Sequence, residues 1–449
     1  MRSIPECITT VFSQWSLEFS ETVWLRFRVL MLAAIACAGR RTISRLLRVA
    51  GTLAEGHWSS FHRVLSKRHW SAWRLAHVLT RHLLTVWLPR GVVRLVGDDT
   101  VTEHRGKKVF GKGCHRDAVH STHSQLVFRW GHKWVVLAVL IQLPGTKRPW
   151  ALPVLCALYR TPEEDRRLGR RHKTPSDLMR QLLCVLIRWF PQRQFVFAGD
   201  GGYGTHAFAR FARRYERRVT LVSRFYPDAN LNAPPPKRRP GTNGRPRKKG
   251  RKLPGPAQGV ARTKKRQRVR VSWYGGKTRL IEVVTGTGHW YRMGEGLVEV
   301  RWVYVHDISG THRDEYFFTT DLTLSPKQIV EFFTGRWAIE VTFEESREHL
   351  GFGTTRGWSQ QTVLRAEPCL LGLYSLVALW WAGLPAPEAR RPIIAWAGKQ
   401  TPTFSDALVH VRRHVWAAWI FQQPGKRRAF QKLTTHEKRL LLNALTLAA

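Results

Sequence analysis

The sequence predicts an α/β protein: a mixed β-sheet covered by helices, with a β-rich insertion and helical regions at both ends. Three observations carry that prediction. Three apolar, strand-like runs follow one another from residue 91, after which helix and strand patterns alternate. The segments on either side repeat apolar residues at intervals of three and four, the spacing of amphipathic helices. Acids stand at the ends of two strand-like runs, Asp98 and Asp99 on the first and Asp200 on the fourth.

Residues 1–90 read as a helical, DNA-binding region. The apolar run VLMLAAIACAG follows a segment carrying Glu6, Glu18 and Glu21, a charge pattern foreign to an export signal. RRTISRLLRVAG and HWSSFHRVLSKRHWSAWRLAHVLTRHLLTVW place Arg, Lys and His between apolar positions, so a basic helix face is expected here. Residues 91–228 hold the first part of the sheet. VVRLVGDD is a strand ending in acids, QLVFRWGHKWVVLAVLIQL is one or two long strands, and WALPVLCALY is another. Thr174-Pro175 with Asp177 opens a helix through SDLMRQLLCVLIRWF, because Pro fits the first helical position. FVFAGD is a buried strand ending at Asp200. GGYG turns the chain into helix THAFARFARRY, and RVTLVSRF is the next strand. Three strands, helix, strand, helix, strand is the element order of the RNase H-like fold, and the acids stand where that fold keeps them.

Residues 229–324 form an insertion. No acid occurs between Asp228 and Glu282, and the Pro, Gly and clustered charge of APPPKRRPGTNGRPRKKGRKLPGPAQGVARTKKRQRVR predict a mobile arm that grips phosphate. Arg247, Lys248 and Lys249 lie within it. The following segment alternates like β-strands and is expected to extend the sheet or form a small β-subdomain; its Trp273, Trp290 and Trp302 read as core residues before base-stacking ones. Residues 325–360 carry a helix, EFFTGRWAIEVTFEESREHLG, and 361–449 return to helices and a basic tail. CLLGLYSLVALWWAGL, 369–384, is uncharged but only 16 residues long, and reads as a buried helix without a membrane span.

Composition narrows the partner. Lys plus Arg total 74 against 31 Asp plus Glu, giving a formal charge of +43 spread through the chain, a field suited to nucleic acid. Twenty tryptophans and 43% hydrophobic residues require a packed core and exclude a disordered basic scaffold. Cys7, Cys37, Cys114, Cys156, Cys184 and Cys369 form no C-x-x-C pair, which fits reduced thiols in a cytoplasmic protein. Cys114, His115, His120 and His123 lie close together but lack zinc-finger spacing.

The sharpest signal is Arg336, Glu340 and Arg347, at i, i+4 and i+11, on one face of a single expected helix. A carboxylate flanked by guanidinium groups suits phosphodiester cleavage: the acid holds a divalent cation and the arginines hold phosphate. An i,i+4 surface ion pair is the ordinary use of such spacing, and the strand-end aspartates favour the functional one. Asp99, Asp200 and Glu340 are the expected catalytic and metal-binding set, with Asp98 the alternative to Asp99 because neighbouring strand residues face opposite ways. Hard carboxylate oxygens suit two Mg²⁺ ions about 3.5–4 Å apart. Glu344, one turn after Glu340, reads as a solvated neighbour.

These motifs resemble the bacterial insertion-sequence transposases of the DDE superfamily whose signature reads Y-(2)-R-(3)-E-(6)-K. The spacing is kept here as Phe333, Arg336, Glu340 and Arg347, and GDDT and AGDGGYG are similar to the surroundings of that group's first two acids. The resemblance covers roughly residues 40–380. It implies an RNase H-like core and Mg²⁺-dependent cleavage at transposon ends, with Mn²⁺ as a substitute. It also implies strand transfer to target DNA and a homodimer on DNA that recognises terminal inverted repeats. By the same resemblance Phe333, Arg336 and Arg347 contact DNA; Phe333 lacks the tyrosine hydroxyl, while Arg347 keeps the lysine's charge. A non-catalytic DNA-binding derivative and a general RNase H-like nuclease remain the alternatives.

Overall fold

The computed structural model describes residues 4–117, 121–122, 124–237, 244–385, 393, 397–423 and 425–446. Five helices lead in: α1 (Glu6–Ser16), α2 (Glu21–Ala36), α3 (Ile43–Ala50), α4 (Trp58–Ser66) and α5 (Ala72–Trp87). They bury apolar stripes that include Ile8, Phe27 and Leu79, and leave Arg45, Arg48, Arg63 and Lys67 of α3, α4 and the turn after α4 in solvent. Their core is continuous with that of the later helices, so the region is a layer of the main body and not a separate bead.

The sheet begins with β1 (Val93–Glu103), β2 (Gly113–Arg116), β3 (Phe128–Ile141) and β4 (Trp150–Tyr159). QLVFRWGHKWVVLAVLIQL is thus one strand, with Pro144-Gly145 turning the chain towards β4. After the short α6 (Pro162–Arg167), Thr174 caps α7 (Pro175–Trp189) through a reciprocal capping box with Asp177. β5 (Phe195–Gly199), α8 (His206–Arg214) and β6 (Val219–Arg224) follow. β4, β3 and β1 are antiparallel neighbours, while β5 and β6 run parallel to β1, giving the order β4-β3-β1-β5-β6 of the RNase H-like fold.

Residues 238–243 of the basic segment lie outside the described residues; on either side of them the chain is paired, where a loose arm is expected. β7 (Leu231–Asn232) pairs back on the residues after the basic cluster: Ala233 donates to Arg251 and Leu253 to Leu231, and Asn232 bridges Lys252. Gly250 permits this, since a Cβ there would lie 2.3 Å from the Pro234 carbonyl oxygen. α9 (Pro256–Arg262) starts at a proline after Gly255 and buries Val260. β8 (Gln267–Ser272), β9 (Thr278–Arg292), β10 (Gly296–Asp307) and β11 (Glu315–Thr319) then extend the sheet, because β11 pairs antiparallel with β6. Together the strands make one 11-stranded sheet. Trp273, Trp290 and Trp302 are all buried, as core residues should be.

α10 (Pro326–Gly335) and α11 (Ala338–Leu350) replace the single helix expected across Arg336 to Arg347. At the junction the amides of Arg336, Trp337, Ile339 and Glu340 donate three residues back instead of four, which tightens and redirects the chain. α10 then packs Phe333 and Ile329 on the β6–β11 side, and α11 packs Ile339 and Phe343 against Val96 and Val136. Burying each of those large side chains contributes about 1.5–3 kcal/mol. α7 and α8 cover the opposite face.

α12 (Gln360–Ala382) has the length and apolarity to cross a membrane, but 67% of its apolar window is buried against β4, α13 and the N-terminal helices. α13 (Phe404–Ala418), α14 (Lys426–Lys432) and α15 (Thr435–Thr446) complete the described chain. All six cysteines are free.

Candidate active site

β1 does not end at its acids. It continues beside β3 to Glu103, whereas its parallel partner β5 stops at the pair Gly97–Gly199. Asp98 and Asp200 are therefore the next residues on adjacent strands, one still in the sheet and one leaving it. Asp200 is fixed by its own turn: the Gly202 amide donates to Oδ1 at 2.9 Å, and the Ser223 hydroxyl donates to the Asp200 carbonyl at 2.7 Å. Gly204 is required beside it, since a Cβ there would sit 2.6 Å from the Arg224 carbonyl oxygen.

Strand alternation separates the paired acids. Val96, Asp98 and Thr100 face α11, while Leu95, Gly97 and Asp99 face α7. Arg336 donates to Asp98 Oδ2 at 2.6 Å through Nη1 and to Glu340 Oε1 at 3.0 Å through Nη2. Arg347, at the far end of α11, donates to the Thr100 hydroxyl on the same face. Asp99 instead meets Lys133 Nζ at 2.7 Å and the buried Tyr203 hydroxyl at 3.4 Å. Asp98, not the expected Asp99, thus shares a guanidinium with Glu340.

Burial pushes the Asp98 carboxyl up; Arg336 opposes this, Asp200 and Asp99 add to it, and the result is about 7. Burial alone would lower the Arg336 guanidinium, but Asp98, Glu340 and Asp200 hold it above its ordinary value. The site is a cluster of carboxylates short of positive charge, with one buried arginine standing in for a cation. Among the described residues no three His, Cys, Asp or Glu side chains converge closely enough to hold a metal ion, and Arg336 stands between two of the candidates. The donors are hard oxygens of the kind that Mg²⁺ takes, so the residue types suit a divalent metal, while the arrangement seen here holds Arg336 between them.

Other expected site residues are dispersed. Phe333 is 1% exposed and packs on Phe317 with ring centroids 4.3 Å apart, so it cannot touch DNA as expected. It supports the site from below: the Arg336 and Arg224 guanidinium carbons lie 5.8 and 5.6 Å from its ring. Arg247, Lys248 and Lys249 are exposed, with Lys249 Nζ 4.2 Å from the Tyr291 ring centroid, on the edge of the insertion. Glu344 is solvated. Cys114 is exposed and His115 buried on opposite faces of β2, and His120 and His123 lie outside the described residues. Sequence reasoning missed Lys133 and Tyr203, which the pairing of β3 with β1 and the turn after β5 bring to Asp99. It also missed Trp337, 44% exposed between Arg336 and Glu340. A cavity of about 1170 Å³ between the N-terminal helices, β4 and α12 includes none of the acids Asp98, Asp200 and Glu340.

A family model of DDE superfamily endonucleases matches residues 19–279. No curated protein matches the chain. The cryo-EM structure of a piggyBac transposase synaptic complex with hairpin DNA aligns over 98% of this chain and 81% of that chain, at 8% identity and a TM-score of 0.41.

Proposed function

Because the chain belongs to the DDE superfamily endonucleases, a family that uses divalent metal, we propose that it is a DNA transposase, cleaving DNA at transposon ends and joining them to target DNA. The observation that supports this best is the side-by-side placement of Asp98 and Asp200 with Arg336 linking Asp98 to Glu340. Asp98, Asp200 and Glu340 would hold the metal, for which Mg²⁺ is the natural ion and Mn²⁺ a substitute. Bound there, two such ions would polarise the scissile phosphate and activate a water or a DNA 3′-hydroxyl.

The protein's own groups do the rest. With the carboxylates engaged by a metal, Arg336 would be free to turn its forked donors to a phosphate, and Arg347, along the same face, would hold the next one. Asp99 keeps Lys133 and Tyr203 in place beneath the strand. The exposed Arg45, Arg48, Arg63 and Lys67, with Arg247 to Lys249, supply duplex affinity that weakens with salt. We place the protein in the cytoplasm, as a homodimer bringing two inverted repeats together.

The test is metal-dependent cleavage of a duplex carrying the repeats that flank the gene. Asp200→Ala and Glu340→Ala should abolish cutting while leaving DNA affinity close to wild type. Cutting by either variant at the wild-type rate would sink the assignment. Tight binding by wild type without cutting in Mg²⁺ or Mn²⁺ would leave a non-catalytic DNA-binding protein.

A further inference from the structure

The sheet face that carries Asp98 continues well beyond the acids. Asp98 pairs with Val136, and residues two apart on a strand share a face, so Trp130 and Phe128 of β3 lie on the Asp98 side. Trp130 is six residues from Val136, roughly 20 Å along the strand. Burial ends there: Phe128 is 57% and Trp130 61% exposed. A second ring, Trp358, is 67% exposed and tied to the same patch. Its carbonyl accepts from the Phe110 amide at 2.9 Å, and the Phe110 carbonyl meets His132, two residues from Trp130, at 2.8 Å.

One cation stands against a ring, and two more lie near in register or in sequence. Lys112 Nζ lies 5.4 Å from the Trp130 centroid, Arg116 pairs across from Phe128, and Arg356 is two residues before Trp358. The chain from His104 to Arg116 contains no acid. Single exposed hydrophobics are ordinary on any surface. Exposed rings beside cations, on the face that leads from the carboxylates, match a more specific ligand. An intact duplex offers phosphates and base edges, whereas an unpaired base offers a flat π-face.

We propose that Trp130 and Trp358 form a stacking platform for unpaired DNA bases, with Lys112 and Arg356 holding the adjoining phosphates. This rests on the reading of the protein as a DNA-cleaving enzyme. The platform lies roughly 20 Å along β3 from the residue paired with Asp98, so it contacts the strand several nucleotides from the acids.

The test uses the full chain and two labelled probes, a blunt duplex and the same duplex with an oligo-dT overhang, read by fluorescence anisotropy. Wild type binds the overhang probe at least tenfold more tightly; Trp130→Ala and Trp358→Ala each remove roughly tenfold of that, with blunt-duplex affinity unchanged within about twofold. Trp130→Phe and Trp358→Phe keep most of the preference, and 2-aminopurine in the overhang is quenched by wild type but not by the alanine variants. Equal binding of both probes by wild type overturns the platform while leaving the proposed function intact. Equal loss on both probes in the variants also overturns it, as does lost self-association with unchanged overhang binding, which assigns the patch to a second copy. Failure to bind either probe removes the platform and the DNA-cleaving reading together.

Discussion

Removing Arg336 should destabilise the metal-free protein more than its local contacts suggest, because it neutralises two acids at once. Its side chain is 10% exposed, against 17% for Asp98 and 36% for Glu340. At an effective dielectric constant near 20, unit charges about 4 Å apart attract by roughly 4 kcal/mol before desolvation is subtracted. We therefore expect a net coupling of about 2 kcal/mol for Arg336–Asp98, and less than about 1 kcal/mol for the more solvated Arg336–Glu340 contact. Arg336→Met alone lets the buried Asp98 carboxyl rise further and take up a proton, and should cost about 2–3 kcal/mol. Asp98→Asn removes the reason for most of that loss, so the double variant should be about 2 kcal/mol more stable than the sum of the singles. Local opening suits a chain of this size better than global unfolding, and native-state hydrogen exchange at amides 336–340 is the assay, run in EDTA. Added Mg²⁺ should then protect Arg336→Met more than wild type, since the ion takes up the charge the arginine left. Coupling below about 0.5 kcal/mol, or no loss on removing Arg336, would refute the idea that it stands in for a cation.

Two further predictions concern the scaffold. Asp307, at the end of β10, meets Arg279 at 2.6 Å; burial pushes its carboxyl up, but the Ser309 and Thr311 hydroxyls and the Ser309 and His312 amides reverse that and hold it at about 2. A carboxyl lowered in the folded state stabilises above its unfolded pKa and loses that effect as pH falls through the folded one. Asp307→Asn should therefore cost about 2 kcal/mol near neutrality, with the gap from wild type closing between about pH 4 and pH 2 in acid titrations of stability. Buried Arg412 donates to the carbonyls of Ile35, Cys37 and His349, and Arg41 also reaches His349, so both bind the C-terminal end of the helix carrying Glu340. Arg412→Met should lower the melting temperature by several degrees, for a loss of about 3 kcal/mol, and a melting curve unchanged from wild type would show that those carbonyls find other partners.

How much of this was legible depends on the range of the interaction. The Thr174-Pro175-Asp177 start of α7 was readable because its capping box closes within four residues. The break at Arg336–Trp337 was not. Nothing in TGRWAIE forbids a continuous helix, and the turn is set by where α10 and α11 find their separate sheet faces. The same limit applies to Asp98 and Asp99. Alternation says that the two acids face opposite ways, but only the packing of Ile339 and Phe343 on Val96 says which side belongs to Glu340. That register makes a sharp comparison. Asp98→Asn should lower metal-dependent cleavage on the order of a thousandfold, as loss of a group at the reacting centre does. Asp99→Asn gives up a contact with Lys133 that is itself partly solvated, worth no more than about 1 kcal/mol, and should keep cleavage within about tenfold of wild type. Both variants should bind duplex DNA alike, because neither acid contributes to the basic surface. The reverse order of activities would mean that β1 rotates about its axis when DNA binds, and that Asp99 takes the place this structure gives to Asp98.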